Sequence, residues 1–182
     1  MVIGITGRNC SGKGELAEYL KKKGFIYYSL SDEIREELSL RNIPESRETL
    51  IQMGNKLRGD FGPSVLADRL LSKINKDKDY VIDSIRNPAE VASLRSIDNF
   101  TLVEIRADDK IRHERMCSRH RQGDAVSFEE FTAYEKREIN NTDPVKQQVD
   151  KTIELADHVI ENNSGLEELY KKIDYFLTGK KL

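Results

Sequence analysis

The sequence predicts an α/β fold of three layers, in which a parallel β-sheet lies between two layers of helices. Two observations carry this prediction. Short apolar, β-branched runs alternate with amphipathic helical patterns along the chain, as they do in βαβ units. The strand-like runs are also almost wholly apolar, which is typical of strands covered on both faces. At 182 residues, the chain is expected to form one domain.

The elements follow in order from local signals. Val2 to Thr6 is apolar and is closed by Gly7, Asn87–Pro88 is a helix cap followed by a first-turn proline, and Ser127 with Glu130 has capping-box spacing. The predicted strands are 2–6, 25–30, 80–85, 100–107 and 158–161. The predicted helices are 13–23, a helix capped by Ser31 or Asp32 and ending near 42–44, then 46–58, 63–75, 88–96, 108–119, 127–140 and a last one opened by a second capping box, Ser164 with Glu167.

The composition excludes some classes of function. Charged residues make up 34% of the chain, but 30 Lys and Arg against 32 Asp and Glu leave a formal net charge of −2. This balance argues against nucleic-acid or membrane binding driven by bulk charge. No apolar run approaches the roughly 20 residues of a membrane-spanning helix. Cys10 and Cys117 are far apart and lack metal-ligand spacing, so we expect no disulfide framework and a cytoplasmic setting.

A glycine-rich loop joins the first strand to the first helix. The pattern G-x-x-x-x-G-K spans residues 7–13, where glycines let successive backbone N–H groups point inward and the helix N-terminus attracts anions. Lys13 adds a mobile positive charge for terminal phosphates. The sequence therefore predicts a nucleoside triphosphate site. Its predicted residues are Gly7, Asn9, Cys10, Ser11, Gly12, Lys13, Gly14 and Glu15, the last mainly complementing the helix dipole.

One position of this loop departs from the general pattern. A Ser or Thr that ligates Mg²⁺ usually follows the lysine, but here Gly14 follows it. Asp83, near the end of a predicted strand, is the candidate Mg²⁺ ligand, because carboxylates at the carboxyl ends of parallel strands face the ligand crevice. The metal is then held either by Asp83 or by another group.

Gly-Lys-Gly at 12–14 is the form that adenylate kinases carry. The chain resembles P-loop nucleoside monophosphate kinases and dephospho-CoA kinases, and more closely a group of small archaeal and bacterial P-loop kinase-like proteins, some fused to deoxycytidylate deaminase-like domains. The resemblance spans nearly the whole chain and implies a P-loop NTPase fold, ATP, Mg²⁺, nucleotide substrates and, in relatives, a deaminase-type partner domain. It also implies a core (1–30, 77–117 and 141–182), a helical acceptor-binding insertion (31–76) and a short lid (118–140).

The resemblance also implies roles for single residues. Arg35 and Arg86 occupy positions similar to those of the arginines that bind the acceptor phosphate in adenylate kinases, although the segment at Asp83 is one residue shorter here. Residues 156–162 match a segment that leads to the donor adenine in dephospho-CoA kinases, which makes Asn162 a donor-site candidate. For Asn162, the alternative is a plain turn. For Arg35, the alternative is a surface ion pair. Arg58 is a weaker acceptor candidate.

An arginine-rich helix supplies the predicted lid. Arg115 and Arg119 are four residues apart, so they share a helix face and repel each other unless an anion lies between them. The transferring phosphoryl group is such an anion, and the segment resembles the lid of these kinases. Arg121 is a further candidate, and Arg137 is either a lid or a surface residue. Lys13, Asp83, Arg115 and Arg119 are thus the predicted catalytic residues.

The sequence as a whole predicts Mg²⁺-dependent phosphoryl transfer from ATP, or another triphosphate, to a small acceptor, with a nucleoside or deoxynucleoside monophosphate as the first choice. Two alternatives stay open. Dephospho-CoA is a second possible acceptor, and a nucleotide-sensing module with little transferase activity belongs to another class of function. Small-molecule nucleotides are the expected partners.

Overall fold

The computed structural model describes residues 1–75, 77–119, 127–139, 143 and 145–179, with the side chains of 134 and 136–139 left outside the description. A five-stranded parallel sheet forms its centre, in the order β2-β3-β1-β4-β5. The strands are β1 (Val2–Thr6), β2 (Ile26–Ser29), β3 (Tyr80–Asp83), β4 (Phe100–Arg106) and β5 (His158–Glu161). The predicted α/β fold is confirmed.

Helices cover both faces of this sheet. They are α1 (Lys13–Lys22), α2 (Leu30–Leu40), α3 (Arg47–Phe61), α4 (Val65–Leu71), α5 (Pro88–Leu94), α6 (Asp109–Ser118), α7 (Phe128–Ile139), α8 (Val149–Ile153) and α9 (Leu166–Leu177). On one face, α1 and α9 bury Leu16, Leu20 and Ile173 against alternate strand residues such as Ile3 and Ile5. Since side chains of successive strand residues point to opposite faces of the sheet, the strand residues between these positions pack on the opposite face.

The second core lies on the opposite face and is built by α2 to α5. Leu30, Ile34, Leu57 and Leu66 pack there with Ile82 of β3. The prediction that 31–76 contains helices and no strand agrees with the described residues of that stretch. The wider division of the chain into core, insertion and lid stays a prediction.

Local corrections concern helix ends and one short helix. Ser29, and not Ser31 or Asp32, caps α2, because its side chain accepts the N–H of Ser31. Gly165 occupies the N-cap of α9 without a side-chain cap, so the box predicted from Ser164 is wrong. Helix α8 was not predicted, because its five residues are too few to show a helical period.

Candidate functional site

The glycine-rich loop leaves the central strand of the sheet at its carboxyl end. Strand β1 pairs with β3 and β4, so the loop that follows Thr6 lies between the ends of both neighbours. Asp83 ends β3 and is paired in register with Ser29 of β2. Polar groups that are distant in sequence are therefore gathered at one edge of the sheet, as expected for a ligand crevice in an open α/β fold.

The loop requires glycine where the sequence places it. Gly7 and Gly12 have φ values of 134° and 109°, a region that L side chains rarely adopt. A Cβ atom on Gly12 would lie 2.1 Å from Nδ2 of Asn162. That nitrogen donates a hydrogen bond of 2.7 Å to the carbonyl of Ser11. Asn162 therefore lies against the glycine-rich loop and holds its backbone through a contact that only glycine at position 12 permits. Its role in a donor site stays a prediction.

Lys13 points back over the loop that it follows. Its Nζ atom donates to the carbonyl oxygens of Gly7 at 2.7 Å and Arg8 at 2.8 Å. Burial lowers the pKa of the Lys13 ammonium from 10.5 to about 8, and the nearby Asp83 carboxylate offsets part of this lowering. The Lys13 ammonium therefore lies beside the loop and has two backbone carbonyl groups as partners. The phosphates of a bound nucleotide can replace these carbonyl groups as its partners.

Asp83 is the described carboxylate best placed to hold Mg²⁺. Its Oδ1 accepts the backbone N–H of Ser84 at 2.6 Å, which fixes the carboxylate beside the loop. Among the described residues, no group of three or more His, Cys, Asp or Glu could hold a metal. This arrangement fits Mg²⁺, which usually binds through one or two carboxylates, substrate phosphates and water. A Cβ on Gly14 would contact nothing within 4 Å, so sterics do not explain the missing hydroxyl.

Two arginines of α6 brace the loop from behind. Arg112 is buried and donates to both oxygens of Glu135, at 2.6 and 2.5 Å, and to the carbonyl of Asn9 at 3.2 Å. Arg115 donates to the carbonyls of Ser11 at 3.3 Å and Asn162 at 2.9 Å. These contacts tie α6 and α7 to the phosphate loop.

These contacts bear on two predictions. The guanidinium of Arg115 lies on the carbonyls of Ser11 and Asn162, and its role of closing over the transferring group stays a prediction. For Arg112, a spacing of one helical turn predicts Asp108 as the ion-pair partner, whereas its carboxylate partners in the structure are Asp109 and Glu135. A helical spacing rule identifies Asp109 but not Glu135, which comes from another helix.

Sequence reasoning also missed Arg8 within the loop. Its guanidinium donates to Glu135 at 3.3 Å and to Asp150 of α8 at 2.7 Å. Arg8 thus links the loop to both α7 and α8. The signal available was an arginine inside the glycine-rich motif itself, at a position that the motif leaves variable.

A second cavity, of about 530 Å³, opens beside the loop between β3 and helices α2 to α4. We call it the acceptor cavity, after the acceptor-binding role that the sequence predicts for Arg35, Arg58 and Arg86. It is lined by Asn9, Leu30, Ser31, Ile34, Arg35, Glu45, Ser46, Arg47, Leu50, Ile51, Arg58, Leu66, Ser84, Arg86, Arg119 and Gln147. Arg86 also lines the cleft over the phosphate loop, which it shares with Lys13. The structure therefore brings the predicted Arg35, Arg58, Arg86 and Arg119 to one cavity.

The arginines of this cavity differ in their surroundings. Arg35 is partly exposed and pairs with Asp32 at 2.8 Å and Glu45 at 3.1 Å. Arg86 donates to the side chain of Gln147 at 3.0 Å. Arg58 is buried against Glu90. Arg47 lines the cavity without having been predicted, since nothing in its local sequence distinguishes it from a surface residue.

The remaining predicted residues have plainer outcomes. Glu15 is exposed in the first turn of α1, which suits the dipole role. Cys10 adopts a φ of 60° within the loop, and Ser11 is buried. Arg121 and the side chain of Arg137 lie outside the described residues. Helices long and apolar enough to cross a membrane are absent from the part of the chain that the structure describes.

Comparisons with known structures agree with this architecture. A structure of TT1252 from Thermus thermophilus is similar over 100% of this chain and 98% of that chain, with a TM-score of 0.61 and 22% identity. Shikimate kinase from Aquifex aeolicus is similar over 98% of this chain and 97% of that chain, with a TM-score of 0.58 and 16% identity. These likenesses show the fold of the P-loop kinases.

Sequence comparisons give the family. A model described as AAA domain matches residues 3–140. A UPF0200 protein of Pyrococcus abyssi is 32% identical over 97% of this chain and 95% of its own length. One of Sulfurisphaera tokodaii is 30% identical, again over 97% of this chain and 95% of its own length. The chain therefore belongs to the UPF0200 family, with an AAA-type domain that has the P-loop kinase fold.

Proposed function

We propose that this chain catalyses Mg²⁺-dependent transfer of the γ-phosphoryl group of ATP, or of another nucleoside triphosphate, to a small phosphate-bearing acceptor, with a nucleoside or deoxynucleoside monophosphate as the first choice. In this reaction, a phosphate oxygen of the acceptor forms a bond to the γ-phosphorus. The bond between that phosphorus and the β–γ bridging oxygen breaks. With ATP as the donor and a nucleoside monophosphate as the acceptor, the products are ADP and a nucleoside diphosphate.

The excess of arginine in the acceptor cavity carries this proposal. Of the described residues that line it, five are arginines and one, Glu45, is acidic. Glu45 is itself bound by Arg35 at 3.1 Å. A hydroxyl acceptor needs a base for its proton, whereas a phosphate acceptor brings an ionised oxygen and needs its charge neutralised. The lining therefore favours a phosphate over a hydroxyl acceptor.

The remaining roles follow from position. Lys13 and the loop N–H groups would hold the donor phosphates, and Asp83 would hold Mg²⁺, which lowers the charge repulsion between the two substrates. Arg86 lines both clefts, so it lies where donor and acceptor would meet. Arg35 would contact the acceptor phosphate, and Arg119 would neutralise charge on the group in transfer. Closure over the cleft would exclude water and suppress hydrolysis of the triphosphate.

Dephospho-CoA is the alternative acceptor. Its ribose hydroxyl would need a base, and Asp83 is the carboxylate at the end of β3, beside Ser84 of the acceptor cavity. In this alternative, Asp83 would take the hydroxyl proton while the acceptor's own phosphates would contact the cavity arginines.

A nucleotide-sensing module is the alternative from another class. Gly14 supplies no hydroxyl for Mg²⁺, and Lys13 is bound to the carbonyls of its own loop. Both features permit triphosphate binding without demanding transfer.

A coupled transfer assay separates the three. The purified chain is given Mg²⁺-ATP with each nucleoside and deoxynucleoside monophosphate, and separately with dephospho-CoA, while ADP formation and the phosphorylated product are both followed. We expect transfer to at least one monophosphate, and a loss of that transfer in Arg119→Ala. Transfer to dephospho-CoA alone selects the first alternative. Tight triphosphate binding without transfer to any acceptor selects the second and contradicts the proposal.

A further inference from the structure

The side chain of Arg58, a residue that lines the acceptor cavity, has one buried donor nitrogen without a partner among the described residues. Its guanidinium is 2% exposed and donates through Nε at 3.1 Å and Nη2 at 2.8 Å to Oε1 of Glu90. Within the described residues, Nη1 is buried and has no hydrogen-bond partner. Leaving a buried donor unsatisfied is costly, so such a group marks a place where a partner belongs.

The surroundings hold this buried nitrogen in place. Oε2 of Glu90 accepts the backbone N–H groups of Arg86 at 2.9 Å and Asn87 at 3.0 Å, so the ion pair is anchored to the segment after β3. One turn before Arg58 is Gly54, whose Cβ, if present, would lie 3.3 Å from Nη1 and 2.9 Å from the side chain of Ile34. The glycine therefore lets Ile34 and Nη1 of Arg58 approach the backbone of α3 closely, and a side chain at position 54 would press on both.

The charge of this group decides what it can bind. Glu90 compensates the charge of Arg58, so Nη1 is a hydrogen-bond donor on a nearly neutral pair and not a free cation. A second anion here would gain little Coulomb energy, while the other cavity arginines already offer sites for a phosphate. The apolar side chains of Leu30, Ile34 and Leu66 line the same cavity, which suits a flat ring with a polar edge.

We propose that Arg58 Nη1 donates to the carbonyl oxygen of an oxo-substituted nucleobase, so that the acceptor is the monophosphate of an oxo base. The proposal rests on the proposed function and narrows its substrate class. Arginine donation to a base carbonyl is a common specific contact between proteins and bases. A base with an amino group or a hydrogen at that position would leave Nη1 unpaired, and an amino group would also oppose one donor to another.

Matched acceptors test the contact directly. Inosine and nebularine 5′-monophosphates differ by the purine 6-oxo group and the N1–H that accompanies it. Uridine and zebularine 5′-monophosphates differ by the pyrimidine 4-oxo group and the N3–H that accompanies it, so the Arg58 variants below are needed to assign a preference to the oxo contact. In at least one pair, we expect kcat/KM of the oxo member to be about 10- to 100-fold higher, as for loss of a hydrogen bond to a charged group. Equal values within both pairs would overturn the proposal.

Variants link the preference to Arg58. The double variant Arg58→Met, Glu90→Gln removes the donor without leaving a buried charge, and we expect the two members of the preferred pair to become equal. Gly54→Ala crowds Nη1 while keeping the ion pair, so a several-fold loss of preference is expected. Its control is Gly59→Ala on the same helix, where a Cβ meets nothing within 4 Å. If the double variant does not fold, Gly54→Ala decides, and an unchanged preference there overturns the proposal.

The same pairs distinguish this proposal from the proposed function. Transfer to monophosphates without a preference for the oxo member would overturn the proposed Arg58 contact and would still support the proposed transferase function. If no monophosphate accepts a phosphoryl group, the proposed function fails. The pairs are then compared by calorimetry in the presence of a non-hydrolysable ATP analogue, where stronger binding of an oxo member supports the contact and equal or absent binding contradicts it.

Discussion

The cationic side chains of the glycine-rich loop and those of the acceptor cavity find their hydrogen-bond partners in opposite ways. At the loop, Lys13, Arg112 and Arg115 all donate to backbone carbonyls of residues 7–11, so the loop holds its own shape. In the acceptor cavity, Arg58 has a buried nitrogen without a described partner, and Arg35 pairs with surface carboxylates. The loop is thus held in shape by its own backbone contacts, whereas, under the proposed function, the acceptor cavity is completed by the substrate that binds there. Five changes can break or sharpen this contrast.

Removing the loop lysine should have the largest effect. Lys13→Ala deletes the ammonium that lies between two loop carbonyls and the phosphate site, and phosphoryl transfer should fall by about 10²- to 10³-fold, as for other lost charge-stabilising donors. Steady-state kinetics measure this, with the exposed Lys21→Ala as control. Normal turnover by Lys13→Ala would mean that the loop is not the donor site.

Breaking the brace behind the loop should come next. Glu135→Ala leaves the buried Arg112 with Asp109 and carbonyl partners alone, so the free energy of unfolding should drop by about 3 kcal/mol. Urea unfolding measures the change. On the acceptor side, Glu45→Ala removes an exposed partner of Arg35 and should cost less than about 1 kcal/mol. An equal drop in the free energy of unfolding for the two variants would contradict the contrast between the two regions.

The next largest effect is expected at Gly12, where the loop comes closest to Asn162. Gly12→Ala combines left-handed strain of about 1–2 kcal/mol with the clash against Asn162, and it should weaken triphosphate binding. Gly24→Ala carries a similar positive φ of 96° but meets nothing within 4 Å, so it should destabilise without affecting binding. Thermal unfolding and nucleotide titration are the measurements. Equal binding by both variants would refute the role of the close contact.

Triphosphate affinity should depend on pH through Lys13. Burial lowers the pKa of this ammonium to about 8 in the free protein, and a bound polyanion raises it because it favours the charged form. Binding therefore takes up a proton above that pH. The Lys13 contribution to affinity should be constant below it and then fall by up to about tenfold per pH unit. Calorimetry in buffers of different ionisation enthalpy measures the uptake, which should vanish in Lys13→Ala.

A hydroxyl after the lysine should give the smallest effect. Gly14→Ser fits sterically, because nothing lies within 4 Å of the added Cβ. It supplies the oxygen that Mg²⁺ finds in the general form of the loop, so the Mg²⁺ concentration for half-maximal activity should fall by about a few-fold. An unchanged Mg²⁺ dependence would indicate that Asp83 and the nucleotide already complete the coordination.

The sequence could predict the glycine-rich loop because backbone geometry determines its residues. Positive φ angles require glycine at positions 7 and 12, and the charge of phosphate groups requires a lysine at position 13. Together these requirements give the sequence a fixed spacing. Arg58 shows why the acceptor side was harder. Its burial depends on Glu90, which comes from another helix across the core, and no local spacing links the two. Arg115 shows the same limit, because helix spacing gives its face but not the carbonyls that it contacts.

The central place of β1 has a consequence for folding. This strand precedes both of its neighbours in the chain, and Val2 pairs with Tyr80 of one and Phe100 of the other. Such distant pairing slows folding, since a long segment must be ordered before the contacts form. The phosphate loop takes its shape between these strands, so nucleotide cannot be held until the chain beyond Phe100 has emerged from the ribosome and docked. Ligand added during refolding should then stabilise the finished sheet without speeding its assembly.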